Sequence, residues 1–144
     1  MRNRASAIVF RGDKILMEKV TYRGNTFHIV PGGGIEEGET PEEAAIRELS
    51  EECGVTGEIV RPLNIIKRLE GNTEYFFEVK IPDDAEVSLG YDPEMPKESQ
   101  ALEEVSWKSI HEISKADAVW LFAAGILEFD IIRQEVNRWK NVQI

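Results

Sequence analysis

A chain of 144 residues is the size of one ordinary domain, long enough to bury a core without disulfides or a structural metal. Apolar content of 42% with scattered Trp, Phe and Tyr excludes a disordered polymer, and a formal charge of −10 without a Lys/Arg cluster argues against nucleic-acid backbones and anionic membranes as partners. One cysteine and two histidines rule out an internal disulfide and a thiolate zinc cage, so any metal here would be held by oxygen.

In chain order, MRNRASAIVF has no long apolar core ahead of a small-residue cleavage site. The longest uncharged apolar run, Ala118 to Leu127, is too short for a bilayer. The expectation is a single domain over 1–144 in a reducing, cytoplasmic setting. Ala5 to Phe10 and Lys14 to Val20 are β-prone runs separated by Arg11-Gly12-Asp13, which predicts a hairpin. Thr26 to Val30 is a further strand, stopped by Pro31 and Gly32-Gly33-Gly34. The period then changes. Thr40 is a good N-cap, Pro41 suits the first helical position and Glu43 completes a capping box, so a helix is expected from about Pro41 to Glu52, with Gly54 as its stop.

Val55 to Leu69 is strand-like, and Glu70-Gly71-Asn72 turns into Thr73 to Ile81. There Tyr75, Phe77, Val79 and Ile81 alternate with Glu74, Phe76, Glu78 and Lys80, the pattern of a half-buried strand. Pro82 ends it. The acidic, proline-containing stretch to about Ala101 is without a period and reads either as a functional loop or as a plain surface excursion. Leu102 to Trp107 predicts one more strand. From Ala116 to Trp139 the apolar residues, among them Trp120, Ala123, Ala124, Leu127 and Ile131, recur at helical spacing, so one long helix is expected against the sheet. Its aromatics belong to the core or to a homodimer contact.

The segment GGIEEGETPEEAAIRELSEECGV, residues 33–55, carries the chemistry. On a helix Glu48, Glu51 and Glu52 stand at i, i+3 and i+4, so their carboxylates leave one side within about 6 Å along the axis. Like charges at that spacing repel, and they occupy the end of the helix where the macrodipole prefers cations. Two broken rules at one place point to a function, and a hard divalent cation would convert the repulsion into coordination: Mg²⁺, with Mn²⁺ acceptable and zinc poorly suited. The three glycines let the backbone bend and a carbonyl come close to a cation or ligand. Arg47 either fixes a neighbouring carboxylate through its rigid donor fork or forms an ordinary surface ion pair.

The ordered combination resembles the Nudix box: Gly, five residues, Glu, seven residues, Arg-Glu, an aliphatic, one residue, Glu-Glu, one residue, Gly, an aliphatic. Gly33, Glu39, Arg47, Glu48, Leu49, Glu51, Glu52, Gly54 and Val55 fill it with no departure. The resemblance implies an α/β fold of the Nudix type, an α/β/α sandwich around a central mixed sheet. It also implies a Mg²⁺-dependent hydrolase that splits the pyrophosphate link of a nucleoside diphosphate derivative by attack of water on phosphorus. By the same resemblance Glu48, Glu51, Glu52 and the Gly33 carbonyl hold the metal, and Arg47 and Glu39 keep those carboxylates in place. The general base is then Glu51, Glu52 or a distal acid. Glu94, Glu98, Glu103 and Glu104 are the candidates for that acid, Glu98 being preferred because Lys97-Glu98-Ser99-Gln100 resembles the corresponding loop of MutT-like members.

The substrate is expected to be a small nucleotide: a nucleoside triphosphate, a nucleotide sugar or a dinucleotide. Phe27, His28, Tyr22 and the Tyr91-Asp92 region are placed to read its leaving group or base, His28 being equally at home as a sheet residue. The patterns that mark coenzyme A and ADP-ribose members are not found, Pro62 being too early for the latter. A nucleotide-sensing or partner-binding domain with little turnover is the alternative, since a fold does not by itself establish activity.

Overall fold

Small and apolar residues alternate with polar ones through Arg4-Ala5-Ser6-Ala7-Ile8, and that alternation becomes β1 (Arg4–Ile8), the strand on which the site is assembled. The structure is a computed structural model describing residues 2–90 and 102–140. β1 lies antiparallel to β5 (Gly32–Gly34) and parallel to β7 (Thr73–Lys80), and β6 (Glu58–Lys67) closes that sheet antiparallel to β7. The order is β5-β1-β7-β6, a mixed sheet. In the second sheet β2 (Phe10–Arg11) and β4 (Asn25–Ile29) follow one another along one edge of β3 (Lys14–Tyr22), while β8 (Leu102–Lys108) pairs with its other edge.

Three helices cover these strands: α1 (Pro41–Cys53), α2 (Lys115–Ala124) and α3 (Asp130–Lys140). Period-two alternation along β1 sorts the core into two halves. Ala5, Ala7 and Val9 meet Ala44, Ala45, Leu49 and Cys53 of α1, whereas Ile8 meets Phe76, Leu121 and Ala124 on the side of α2. The layers are those of an α/β/α sandwich, as expected. Among the described residues no helix is long and apolar enough to cross a membrane.

Four expectations need correction. The run Ala5 to Phe10 is two strands, because the chain passes at Val9 from the first sheet to the second, where the Val9 carbonyl accepts the Leu16 N–H at 2.9 Å. The glycines after Pro31 do not merely bend; Gly32–Gly34 is the edge strand β5. β7 is covered on both faces, with Phe76 and Glu74 buried like Phe77 and Val79, since Trp120 packs edge-on at 6.1 Å against Phe76. The long terminal helix is two helices. Gly125 takes φ +108°, which ends α2 through bonds from its N–H to Leu121 O and Phe122 O, and a short 3₁₀ turn at Ile126–Glu128 leads into α3.

Candidate functional site

α1 begins by rule. The Thr40 hydroxyl accepts the Glu43 N–H at 3.1 Å, and the Glu43 carboxylate accepts the Thr40 N–H at 2.9 Å, so two orphan donors are satisfied reciprocally. It ends differently. Gly54 closes the helix at φ +71°, but no basic residue stands in the last turn. The segment after β7 folds back instead: Ser88 N–H donates to Cys53 O at 2.9 Å and Gly90 N–H to Glu52 O at 2.8 Å. Those bonds satisfy two of the carbonyls a helix end leaves open.

Arg47 organises the acids of α1. Its Nε and Nη2 donate to both oxygens of Glu39 at 2.7 and 3.0 Å, Nη1 donates to Glu48 at 3.0 Å and to Glu51 at 3.2 Å, and Nη2 also reaches the Gly34 carbonyl at 2.9 Å. This is the rigid fork used to its full donor capacity. The bond from Arg47 holds the Glu39 carboxyl below its ordinary range, and the same bond holds the Arg47 guanidinium above its own. Glu52 turns the other way, accepting the Gly32 N–H at 2.9 Å.

The glycines of β5 now have a physical reason. A Cβ on Gly33 would lie 2.4 Å from Glu48 Oε1, one on Gly32 would meet the Ser6 hydroxyl at 2.1 Å, and one on Gly34 the Arg2 guanidinium at 2.6 Å. Side chains press on both faces of the strand, so it can carry none of its own. On the Gly34 face lies a cleft of about 700 Å³ lined by Phe27, His28, Ile29 and Val30 of the β4 end, Arg2, Arg4 and Ser6 around β1, Arg68, Glu74, Asp117 and Trp120 among others. Phe27 and His28 thus line the cleft, while Tyr22 is exposed at the end of β3 and is not among the lining residues. The His28 backbone N–H donates to Asp117 at 2.9 Å, tying β4 to α2.

Glu18 was not singled out by any sequence pattern. It lies on β3, wholly buried, between the α1 acids and the sheet. Burial raises its carboxyl, aided by the negative charge of Glu48; burial likewise raises Glu52, followed by the charges of Glu18 and Glu48. Burial also pushes the neighbouring Cys53 thiol up, so it stays an SH group that donates weakly to Glu18 at 3.7 Å. Leu16 and Glu18 share the strand face toward α1.

Of the distal-acid candidates, Glu103 and Glu104 are exposed on β8, with Glu103 3.8 Å from Lys19 Nζ. Glu94, Glu98, Tyr91 and Asp92 lie outside the described residues.

The chemistry of the site fits a hard dication. Every donor is oxygen, the absence of a Cβ on Gly33 lets the Glu48 carboxylate lie directly against the backbone, and Glu18 Oε1 is buried without a hydrogen-bond donor. Among the described residues no three His, Cys, Asp or Glu side chains form a ready-made metal cage. Arg47 engages Glu48 and Glu51 in its place.

Comparison with known proteins bears on the family and the fold. The family model described as the NUDIX domain matches residues 1–128. Diphosphoinositol polyphosphate phosphohydrolase 3-alpha of Mus musculus is 37% identical over 70 residues, 46% of this chain and 42% of that protein. The RNA pyrophosphohydrolase of Sphingopyxis alaskensis is 50% identical over 54 residues, 38% of this chain and 30% of its own. In both, the match spans less than half of the relative's length. Among solved structures, a NUDIX hydrolase from Nitrosomonas europaea superposes with TM-score 0.65 at 23% identity, covering 81% of this chain and 61% of that one. A NUDIX-family hydrolase from Clostridium perfringens gives TM-score 0.65 at 19% identity, covering 85% and 94%. Identities this low speak for the fold alone.

Proposed function

The chain belongs to the NUDIX domain family, and on that premise we propose that it is a divalent-cation-dependent pyrophosphohydrolase acting on a nucleoside diphosphate derivative. The observation that carries the reading is the single guanidinium of Arg47 holding Glu39, Glu48, Glu51 and the Gly34 carbonyl in one array beside a side-chain-free strand. A surface ion pair would not engage four partners.

Glu48, Glu51, Glu52 and the Gly33 carbonyl would hold Mg²⁺, with Mn²⁺ an acceptable substitute. When bound, the ion supplies neutralisation of phosphate oxygens and Lewis acidity. The remaining steps belong to the chain. Arg47, braced by Glu39, fixes the orientation of Glu48 and Glu51. Glu51 or Glu52 takes a proton from the attacking water as its oxygen bonds to phosphorus, and the bridging P–O bond breaks to release the second phosphate product. The Gly32 N–H fixes one oxygen of Glu52, which leaves the other to face the reaction. The cleft on the Gly34 face receives the rest of the substrate, with Arg2 and Arg4 near the strand to meet phosphate charge and Phe27, Ile29 and Trp120 offering apolar surface to a base or sugar.

The relatives named above act, by their names, on diphosphoinositol polyphosphates and on the pyrophosphate of RNA, so both enter the test. The test is a panel of nucleoside triphosphates, nucleotide sugars, dinucleotides, a diphosphoinositol polyphosphate and a 5′-triphosphorylated RNA, each with Mg²⁺, analysed for the bond that breaks. Turnover concentrated on one class supports the reading. A flat response would move the protein to the nucleotide-sensing alternative.

A further inference from the structure

Among the described residues two glutamates are buried in the sheets, and they are treated very differently. Glu74 on β7 is 3% exposed and fully served: the Ser6 hydroxyl donates to it at 3.0 Å, Arg68 pairs with it, and Arg4 Nε stands 3.6 Å away. Glu18 on β3 is 0% exposed and has no such company. Its Oε2 accepts the weak thiol of Cys53 at 3.7 Å, its Oε1 is buried without a hydrogen-bond donor, and the side chain within hydrogen-bonding reach beside them is another acid, Glu52. A buried carboxylate is ordinarily paired, hydrogen-bonded or bound to a metal, since desolvation is costly.

Its neighbours make the shortage sharper. Glu52 is in side-chain contact with Glu18, and Glu48 is close enough to act on it by charge. The guanidinium of Arg47 is committed to Glu39, Glu48, Glu51 and the Gly34 carbonyl. Three carboxylates therefore crowd the inner side of the last α1 turns, and the one furthest from water has an oxygen without a partner. Glu74 shows that this fold can supply cations to a buried acid. At Glu18 it supplies an arrangement that a cation from solution would complete.

We propose that Glu18 is a ligand of the divalent cation, reaching it through Oε1 from β3 while Glu48 and Glu52 reach it from α1. The inference rests on the dication-dependent reading of the site and adds a ligand that lies outside the sequence box. Hard dications take six or more oxygens, so a carboxylate from the opposite sheet has a coordination position to fill. The ion then ties β3 of the second sheet to α1 above the first, and its binding is felt in strand as well as helix.

The test uses substrate-free protein and Mn²⁺ as the probe. Free Mn²⁺ is followed by electron paramagnetic resonance during titration of wild type, Glu18→Gln and Glu18→Met, and thermal melts are recorded with and without the ion. The expected result is a loss of about 10-fold or more in Mn²⁺ affinity in both variants, with most of the metal-induced rise in Tm gone and the metal-free Tm unchanged or higher. Equal affinity and an equal Tm rise in either folded variant would show that Glu18 is a buried bystander. In parallel, hydrogen exchange of wild type with and without Mg²⁺ reads the site with no substitution: amides of β3 around Glu18 gain protection together with those of α1. Protection of α1 alone overturns the proposal even if neither variant folds. Wild-type protein that takes up no Mn²⁺ at all removes the dication reading itself, a different failure from loss of the Glu18 role.

Discussion

The two ends of α1 obey opposite logic. At the first turn each feature lowers free energy: the Thr40–Glu43 capping box, Pro41 at the first helical position, and Glu42 and Glu43 beside the positive end of the dipole. At the last turns Glu48 and Glu51 share the Arg47 guanidinium, Glu52 turns away from them to the Gly32 N–H, no base stands in the turn, and Glu52 is half-buried against a second buried acid, Glu18. The same helix is thus held by one end and loaded at the other. A helix built for stability alone would place Lys or Arg where these acids stand. The contrast separates residues that make the helix form from residues that the helix exists to present.

Substitutions can break that contrast. The largest effect is expected at the loaded end: Glu52→Gln lowers kcat by about 10²- to 10⁴-fold, the usual contribution of a positioned acid or base, while the melting temperature stays level or rises because a neutral amide replaces a buried acid. A kcat within threefold of wild type would return Glu52 to the status of a surface acid. Gly33→Ala comes next. The added methyl must displace the Glu48 carboxylate, which lies 2.4 Å from its ideal position, so Mn²⁺ affinity measured without substrate falls by about 10-fold or more. An unaltered affinity would mean that Glu48 moves without consequence.

At the held end the expectation is reversed. Thr40→Ala removes the cap at a cost of about 1 kcal/mol in unfolding free energy, read by urea denaturation, with kcat unchanged. A large fall in kcat there would merge the two ends and weaken the distinction. The smallest effect is in pH. Glu18 and Glu52 hold their protons more tightly folded than unfolded. Between the ordinary carboxylate range and their raised values the native state binds more protons than the unfolded one, so stability falls as pH rises. In EDTA-treated protein Tm therefore drops from about pH 5 to pH 8. Glu18→Gln flattens that slope. A rising Tm over the same interval would contradict the buried, protonated character of the pair.

Local chemistry was readable in the sequence wherever one residue decides one geometry. Thr40, Pro41, Glu43 and Gly54 bounded α1 to within one residue, because caps act on their immediate neighbours. The i, i+3, i+4 spacing foretold Glu48, Glu51 and Glu52 on one side; Glu48 and Glu51 do meet at Arg47, whereas Glu52 turns to the Gly32 N–H, a backbone partner from another strand that helical spacing does not reveal. What was not readable depends on distant partners. Val9 changes sheets in the middle of an apolar run whose composition never changes. Gly125 interrupts apolar residues that keep their helical period on either side, so periodicity concealed the break. Glu18 follows Ile15, Leu16 and Met17, all apolar; with both faces of β3 buried, alternation could not tell which way an acid would point. The cleft draws Arg2 and Arg4, Arg68, and Asp117 and Trp120 from three remote segments, and only the sheet order brings them into one place.

With no side chain on Gly32, Gly33 or Gly34, a single ply of peptide stands between the Arg2 guanidinium that flanks Gly34 and the Glu48 carboxylate that flanks Gly33. A methyl group added at Gly33 or Gly34 must therefore push a charged group outward on one face or the other, and the strand tolerates neither.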